Sequence, residues 1–408
     1  MFPECIDCRG VRGMCGINPC PLLSKIHAKL PSHEINSFDE MIGPSPPSVF
    51  VGRYGYPDVR VGPSASWFLE NESHNNQITG DPADLFGRSL EEVAVRHSNL
   101  ITGSSKAKIN SPLNPNKILE TTQEIAMASK SVDIELDFAK KIKVIGSPNF
   151  DTMSTPLGPS GEVIRAEIIG NSNIARKVDS IVDEIDLLAN DAIKELKEGK
   201  IGEAHISRLL STGLLGKEKS RKLVPTRWSI TATDDMLSKN LWSKIRDYES
   251  IDKTLVYEST YLDNSFHIIL TPGIWAYQMI ETWTNGSLWT ESDKVIKTDF
   301  EECKPKTDYA TNVTGAYYAA RLGVVESLDK IRKSASCLVW RDIGPGYWAP
   351  VGVWLIRETV RDAMKQQPKI FDSLNESIQY LSGRVSSPNE LKESWFMKRK
   401  NQTRLDSF

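Results

Sequence analysis

Residues 254–283 read TLVYESTYLDNSFHIILTPGIWAYQMIETW. Three runs in this stretch, Leu255–Tyr261, Phe266–Leu270 and Ile274–Trp283, are rich in branched, aromatic and other apolar side chains. Such side chains pack well on a pleated surface, so the three runs predict an antiparallel sheet. Further strands are expected upstream. Val132–Phe138 alternates apolar and polar residues, the pattern of a half-buried strand. Val163–Ile169 follows a turn marked by Pro156, Gly158, Pro159 and Gly161. Cys337–Asp342 and Trp348–Ile356 are strand-like or buried.

Helices surround these segments. In Ile174–Leu196 apolar residues recur at helical spacing through Ile174, Val178, Ile181, Val182, Ile185, Leu188, Ala192, Ile193 and Leu196, and Gly199 closes the run. This stripe is core and carries no function. Leu85–Ile101, Pro115–Lys130, Glu203–Leu210, Gly315–Lys333 and Glu358–Leu381 (interrupted at Pro368) also read as helices. Asp234–Glu249 is expected to start at an N-cap Thr233, with Asp234 and Asp235 favourably placed in its first turn. The fold class is α+β (mixed α/β). A chain of 408 residues exceeds one ordinary core. Composition shifts place a metal knuckle at 1–23, a large α/β domain at 24–285, a smaller one at 286–395 and a flexible tail at 396–408.

Lys+Arg 50 against Asp+Glu 53 gives a net charge of -3, so contact with nucleic acid must come from local patches. No apolar run approaches the length of a membrane span, and residues 1–20 hold charges and cysteines where a secretory signal would be apolar. A cytoplasmic protein without membrane contact is expected.

Four of the six cysteines, Cys5, Cys8, Cys15 and Cys20, fall in the first twenty residues. Without a secretion signal, clustered cysteines point to metal. Four thiolates complete a tetrahedral zinc shell, which is structural because no coordination position stays open. Gly10, Gly13 and Gly16 let the loop turn around the ion. Ligation would supply the folding free energy that so short a segment lacks. An iron–sulfur cluster takes the same four thiolates and is the disfavoured alternative.

The last seven residues, Gln402 to Phe408, spell Gln-x-x-Leu-x-x-Phe. In one tight helical turn residues three apart share a side, so Leu405 and Phe408 would form one apolar plug with the Gln402 amide beside it. An apolar pair on a charged tail suits a partner protein. Two internal stretches could hold a nucleotide or nucleic acid. One is Arg53-Tyr54-Gly55-Tyr56-Pro57, a glycine turn with aromatic and basic side chains. The other is Lys217–Asp235, where Arg227 could hold phosphate and Trp228 stack on a base, with Ser229, Thr231 and Thr233 along one face of an extended segment. The candidate pocket comprises Arg53, Tyr54, Arg227 and Trp228. Its competing reading is a solvated basic loop before a capped helix. Ser211–Glu218 fails the phosphate-loop pattern, and no dinucleotide, hydrolase, zinc-protease or kinase signature is present. No catalytic residue is assigned, and enzymatic activity is left open. His267 reads as a core histidine. Arg341–Trp348, with Gly344 and Gly346, reads as an ordinary strand connection.

The four-cysteine knuckle, the terminal Gln-x-x-Leu-x-x-Phe and the segments Arg53–Pro57 and Val224–Ser229 together resemble the archaeal Nre family of DNA repair proteins over essentially the whole chain. The resemblance implies zinc on Cys5, Cys8, Cys15 and Cys20. It also implies that Gln402, Leu405 and Phe408 bind the replicative sliding clamp (PCNA). DNA would then be met through the clamp or through local basic patches. Clamp-binding peptides commonly end in two aromatics, whereas this chain ends after one. Losing one buried aromatic forfeits roughly 1.5–3 kcal/mol, which the basic Lys398, Arg399, Lys400 and Arg404 could partly offset against an acidic clamp. The expected function is repair of damaged DNA after recruitment by the clamp. The alternatives are a nucleotide- or nucleic-acid-processing enzyme with a pocket near Arg227 and Trp228, and a non-catalytic repair adaptor.

Overall fold

The computed structural model describes residues 5–8, 14–17, 20–27, 37–66, 80–143, 153–287, 289–290 and 294–401. The chain forms two compact units. One gathers the described residues of 23–236 and 350–352, the other those of 1–22, 237–349 and 353–408. Each is built on one six-stranded sheet flanked by helices, which is the mixed α+β class. Among the described residues no helix is long and apolar enough to cross a membrane.

The first unit holds β1 (Ser37–Ser45), β2 (Val49–Val51), β3 (Asp58–Ser66), β4 (Leu100–Lys108), β5 (Val132–Lys143) and β6 (Ser160–Ile169). Their order across the sheet is β1-β5-β6-β4-β3-β2, antiparallel except for the β4–β6 pair. The helix Lys117–Met127 packs on this sheet. Asn116 caps it by accepting a bond from Leu119 N–H at 2.9 Å, and Thr121 Oγ1 donates to the Ala166 carbonyl at 3.0 Å. Val51, Val59, Val61, Leu119 and Leu223 form one buried cluster beneath the β2–β3 edge.

The long helix expected over 174–196 is two helices, Arg176–Asp183 and Ala189–Glu198. Val178, Ile181, Val182, Ala192, Ile193 and Leu196 are buried as expected, but Ile185 and Leu188 face solvent. The break has a partner that periodicity cannot reveal. Arg221 donates to the carbonyls of Val182 at 2.8 Å and Glu184 at 3.3 Å, and Glu218 N–H donates to Ile185 at 2.8 Å. Those carbonyls thereby find donors outside a helical ladder.

The second unit holds β7 (Thr254–Tyr261), β8 (Asn264–Thr271), β9 (Ala276–Trp283), β10 (Val295–Glu302), β11 (Ser336–Ile343) and β12 (Lys369–Phe371), in the order β10-β9-β11-β8-β7-β12. The three expected strands are present. However, β11 sits between β8 and β9, antiparallel to the first and parallel to the second. Every residue of β9 and β11 is buried, so both faces of the sheet centre are covered. On one face Val256, Ile269, Ile280, Leu338 and Trp340 pack with Ile378, Leu381, Leu391, Phe396 and Met397. The helices Gly315–Ile331 and Trp354–Ala363 contact the sheet as well.

Two expected boundaries move. The sheet runs across residue 285, because β9 and β10 on either side are paired over their full lengths. The chain divides instead near residue 237, within the helix Thr226–Ile245. The segment expected as tail from 396 begins as ordered structure. Residues 395–401 form a helix whose Phe396 and Met397 are buried, with Phe396 N–H donating to Gln278 Oε1 at 2.8 Å. Trp395 stacks on Phe300 with ring centroids 4.2 Å apart. The helix expected over 358–381 is interrupted around Pro368, but the first helix already ends at Ala363 and a short strand (β12) follows Pro368 before the next helix, Leu374–Leu381.

The second unit seals charge inside. Arg321 and Glu301, each with about 1% of the side chain exposed, pair at 2.7 Å. Arg321 Nε also donates to Ser238 Oγ at 3.0 Å. Glu301 accepts from Trp275 Nε1 at 3.0 Å and from Lys306 N–H at 2.8 Å. Breaking a buried pair leaves an uncompensated charge at a cost of about 3–5 kcal/mol, whereas replacing both members by apolar groups is often neutral. Arg321→Met is therefore expected to lower unfolding free energy by about that amount, and Arg321→Met with Glu301→Leu to recover most of it. Denaturant titration of the three proteins checks the order.

Candidate functional site

β2 ends in the turn Gly52–Pro57, which hands the chain to β3. Gly52 N–H donates to the Arg60 carbonyl at 2.7 Å, and Asp58 N–H to the Gly55 carbonyl at 2.9 Å. Gly55 has φ +83°, and a Cβ placed there would lie 2.7 Å from the Asp58 oxygen. Only glycine fits such a turn without strain. The turn pushes Tyr54 and Tyr56 into solvent, 69% and 50% exposed. The Arg53 guanidinium lies 4.7 Å from the Tyr54 ring centroid and donates to its hydroxyl at 2.9 Å.

The second half of the site arrives from far along the chain. Val51 N–H donates to Thr226 Oγ1 at 2.9 Å, tying β2 to the first residue of the helix Thr226–Ile245. Trp228, 46% exposed, then meets Tyr56 with centroids 5.6 Å apart and planes inclined by 51°. Two further backbone bonds close the ring of contacts. Ile109 N–H donates to the Pro57 carbonyl at 3.0 Å, and Leu223 N–H to the Ile109 carbonyl at 2.8 Å. Lys108 and Lys222, both exposed, are the chain neighbours of that linked pair. Asp58 is the acidic residue at this edge, opposite Lys108 in the β3–β4 register.

The four residues picked from sequence, Arg53, Tyr54, Arg227 and Trp228, therefore sit on segments that the fold joins. Tyr56, Lys108 and Lys222 belong beside them. Nothing in linear order links the lysines to the turn; the link is made by the hydrogen bonds through Ile109. The expected pocket is an open surface with three exposed rings. The extended segment expected over 229–233 is helical. Ser229 Oγ donates to the Thr226 carbonyl at 2.9 Å and Thr231 Oγ1 to Arg227 at 3.3 Å. This back-bonding lets hydroxyl residues sit inside a helix. Ser229 is buried against Ser207 at 2.9 Å. Thr233 and Asp234 are buried inside the helix too, so Thr233 does not cap it and Asp234 and Asp235 lie beyond its first turn. Arg221, within the same basic stretch Lys217–Asp235, is spent on helix carbonyls, and burial lowers its pKa.

Other sequence candidates are placed as follows. Cys5 and Cys8 lie one turn apart on the short helix Cys5–Cys8, with Cys8 buried and Cys5, Cys15 and Cys20 partly buried. Gly16, between the last two, has φ +72°. Gln402, Leu405 and Phe408 lie outside the described residues. Of the basic residues before them, Arg399 pairs with Glu302 at 2.6 Å and Lys398 with Glu393 at 3.1 Å. His267 is buried, with Nδ1 2.9 Å from Glu258 Oε1. Burial pushes its pKa down, while Glu258 acts to raise it. Gly344 and Gly346 let the Asp263 carboxylate approach the strand connection, Gly346 N–H donating to it at 2.6 Å. The carboxylates of Glu40, Glu135 and Asp137 come within 4.8 Å of one another. Arg165 offsets part of this charge, at 3.3 Å from Glu135 and 3.5 Å from Asp137.

Two family profiles cover the chain. The one described as archaeal Nre, N-terminal, matches residues 14–290, and archaeal Nre, C-terminal, matches 301–408. The chain belongs to the archaeal Nre family. It is 35% identical to the DNA repair protein NreA of Archaeoglobus fulgidus over 99% of this chain and 98% of that one. It is 34% identical to NreB of the same organism over 99% of this chain and all of the relative. NreA of Haloferax volcanii is 31% identical over 83% of this chain and 82% of its own. No solved structure matches the chain. The first profile ends between β9 and β10 and the second begins within β10, and these two strands are paired neighbours in one sheet.

The turn that carries the tyrosines yields a direct test. Gly55 and Gly87 both have positive φ, but a Cβ at Gly87 meets nothing within 4 Å. Gly55→Ala is expected to lower the thermal midpoint more than Gly87→Ala, because backbone strain is common to both and the clash with Asp58 belongs to one. Thermal melts of the two variants decide it.

Proposed function

We propose that this Nre protein is a DNA repair factor brought to its substrate by the replicative sliding clamp. Similarity to three proteins, each named a DNA repair protein and two of them matched end to end, carries the repair reading. The clamp reading rests on the terminal Gln402, Leu405 and Phe408. With net charge -3 the body has little general attraction for DNA, so a recruiting peptide has a physical purpose. Because Arg399 and Lys398 are engaged with Glu302 and Glu393, they offer the clamp less compensation than their sequence position suggests.

A structural zinc on Cys5, Cys8, Cys15 and Cys20 suits the N-terminal residues. Positions three apart on a helix share a side, which turns Cys5 and Cys8 the same way. The buried Cys8 and the left-handed Gly16 fit a loop folded around an ion. The ion would hold this segment folded and leave no position open for chemistry.

A peptide of residues 395–408 is expected to bind the clamp, and Leu405→Ala with Phe408→Ala in the full chain to abolish binding. Calorimetry that finds unchanged affinity in the double variant refutes the clamp reading. Metal analysis of the purified protein is expected to give one zinc per chain, lost in Cys8→Ser together with thermal stability.

A further inference from the structure

We propose that Tyr54, Tyr56 and Trp228, with Arg53, Arg227, Lys108 and Lys222 around them, form a stacking platform for the unpaired bases of a single-stranded nucleic acid. The choice of nucleic acid rests on the repair reading; the platform itself rests on geometry. Among the described residues five aromatic rings are at least 44% exposed: Tyr54, Tyr56, Trp228, Phe300 and Tyr309. Three of the five share this one patch. Rings left in water forgo the free energy of burial, so their gathering by segments from opposite ends of a unit calls for a ligand.

The ring geometry selects the ligand. Tyr56 and Trp228 pack on each other at 5.6 Å and 51°, which leaves no slot in which a base could be sandwiched. Their outer faces remain open. A strand laid across the patch can place successive bases on such faces, and stacking tolerates any base sequence. A duplex cannot, because its base faces are already stacked internally. Arg53, held over Tyr54 at 4.7 Å, presents a planar donor fork suited to phosphate. Lys108 and Lys222 add exposed positive charge on a body that is otherwise near neutral.

The test uses the full chain without clamp and follows the anisotropy of a labelled oligothymidylate. Trp228→Ala and Tyr56→Ala are each expected to weaken binding between about fivefold and about 150-fold, the range for one stacked base. Trp228→Phe should retain most of the affinity. Arg53→Gln should flatten the salt dependence. Tyr54→Ala, at the exposed loop tip, covers the case in which another variant fails to fold. A duplex of equal length should bind more weakly and ignore Trp228→Ala. An oligouridylate arm tells whether the strand is read as DNA or RNA. The proposal is overturned by absence of oligothymidylate binding, by aromatic variants that bind normally, by equal duplex binding, or by polyglutamate displacing the oligonucleotide as well as unlabelled strand does. The double variant Leu405→Ala, Phe408→Ala should keep full oligonucleotide affinity, so the clamp reading and this one fail separately.

Discussion

Arg321 and Glu301, sealed from water at 2.7 Å, set the terms for the second unit. The centre of its sheet is buried on both faces, so any charge there needs a partner in place before water is excluded. Each such charge has one. Glu301 also takes Trp275 and the Lys306 amide, and Asp299 takes the amides of Asn312 and Val313 at 2.9 and 2.8 Å. Arg341 reaches Glu281 and Asn264 across β11, β9 and β8. These contacts span strands far apart in sequence, so strand order and helix docking must be right together. Such pairs add little net stability, but half of one is costly. They act as a constraint on which arrangement can form.

The first unit is organised differently. Its exposed aromatic patch depends on a few hydrogen bonds at one sheet edge. The Val51 amide on Thr226, the Ile109 amide on Pro57 and the Leu223 amide on Ile109 bring three segments to one place. The exposed rings then follow from the glycine turn at Gly55 and the helix start at Thr226. Arg221 shows how misleading local composition can be. It reads as part of a basic loop, yet it serves the carbonyls of a broken helix.

The strands around 254–283 and the buried positions Val178, Ile181, Val182, Ala192, Ile193 and Leu196 were legible because period and composition reflect burial directly. The insertion of β11 between β8 and β9 was not, because strand order depends on contacts between residues far apart in the chain. The expected seam at 285 failed for the same reason: the polar stretch after it contains β10, which completes the sheet. Phe396 and Met397 looked like the root of a charged tail and are core, because their cover comes from β9 and β10, about a hundred residues earlier.

By itself the sequence determined the α+β class, the family, the cysteine spacing and the terminal Gln-x-x-Leu-x-x-Phe, since each is a local pattern that needs no neighbour from elsewhere. Only the tertiary structure decided that Arg53, Tyr54 and Tyr56 stand beside Trp228, that Ser229 and Thr233 are buried helix residues, and that the expected pocket is an open platform. The physical reason is that these facts depend on hydrogen bonds and ring contacts between segments up to 175 positions apart, which no window along the chain can contain.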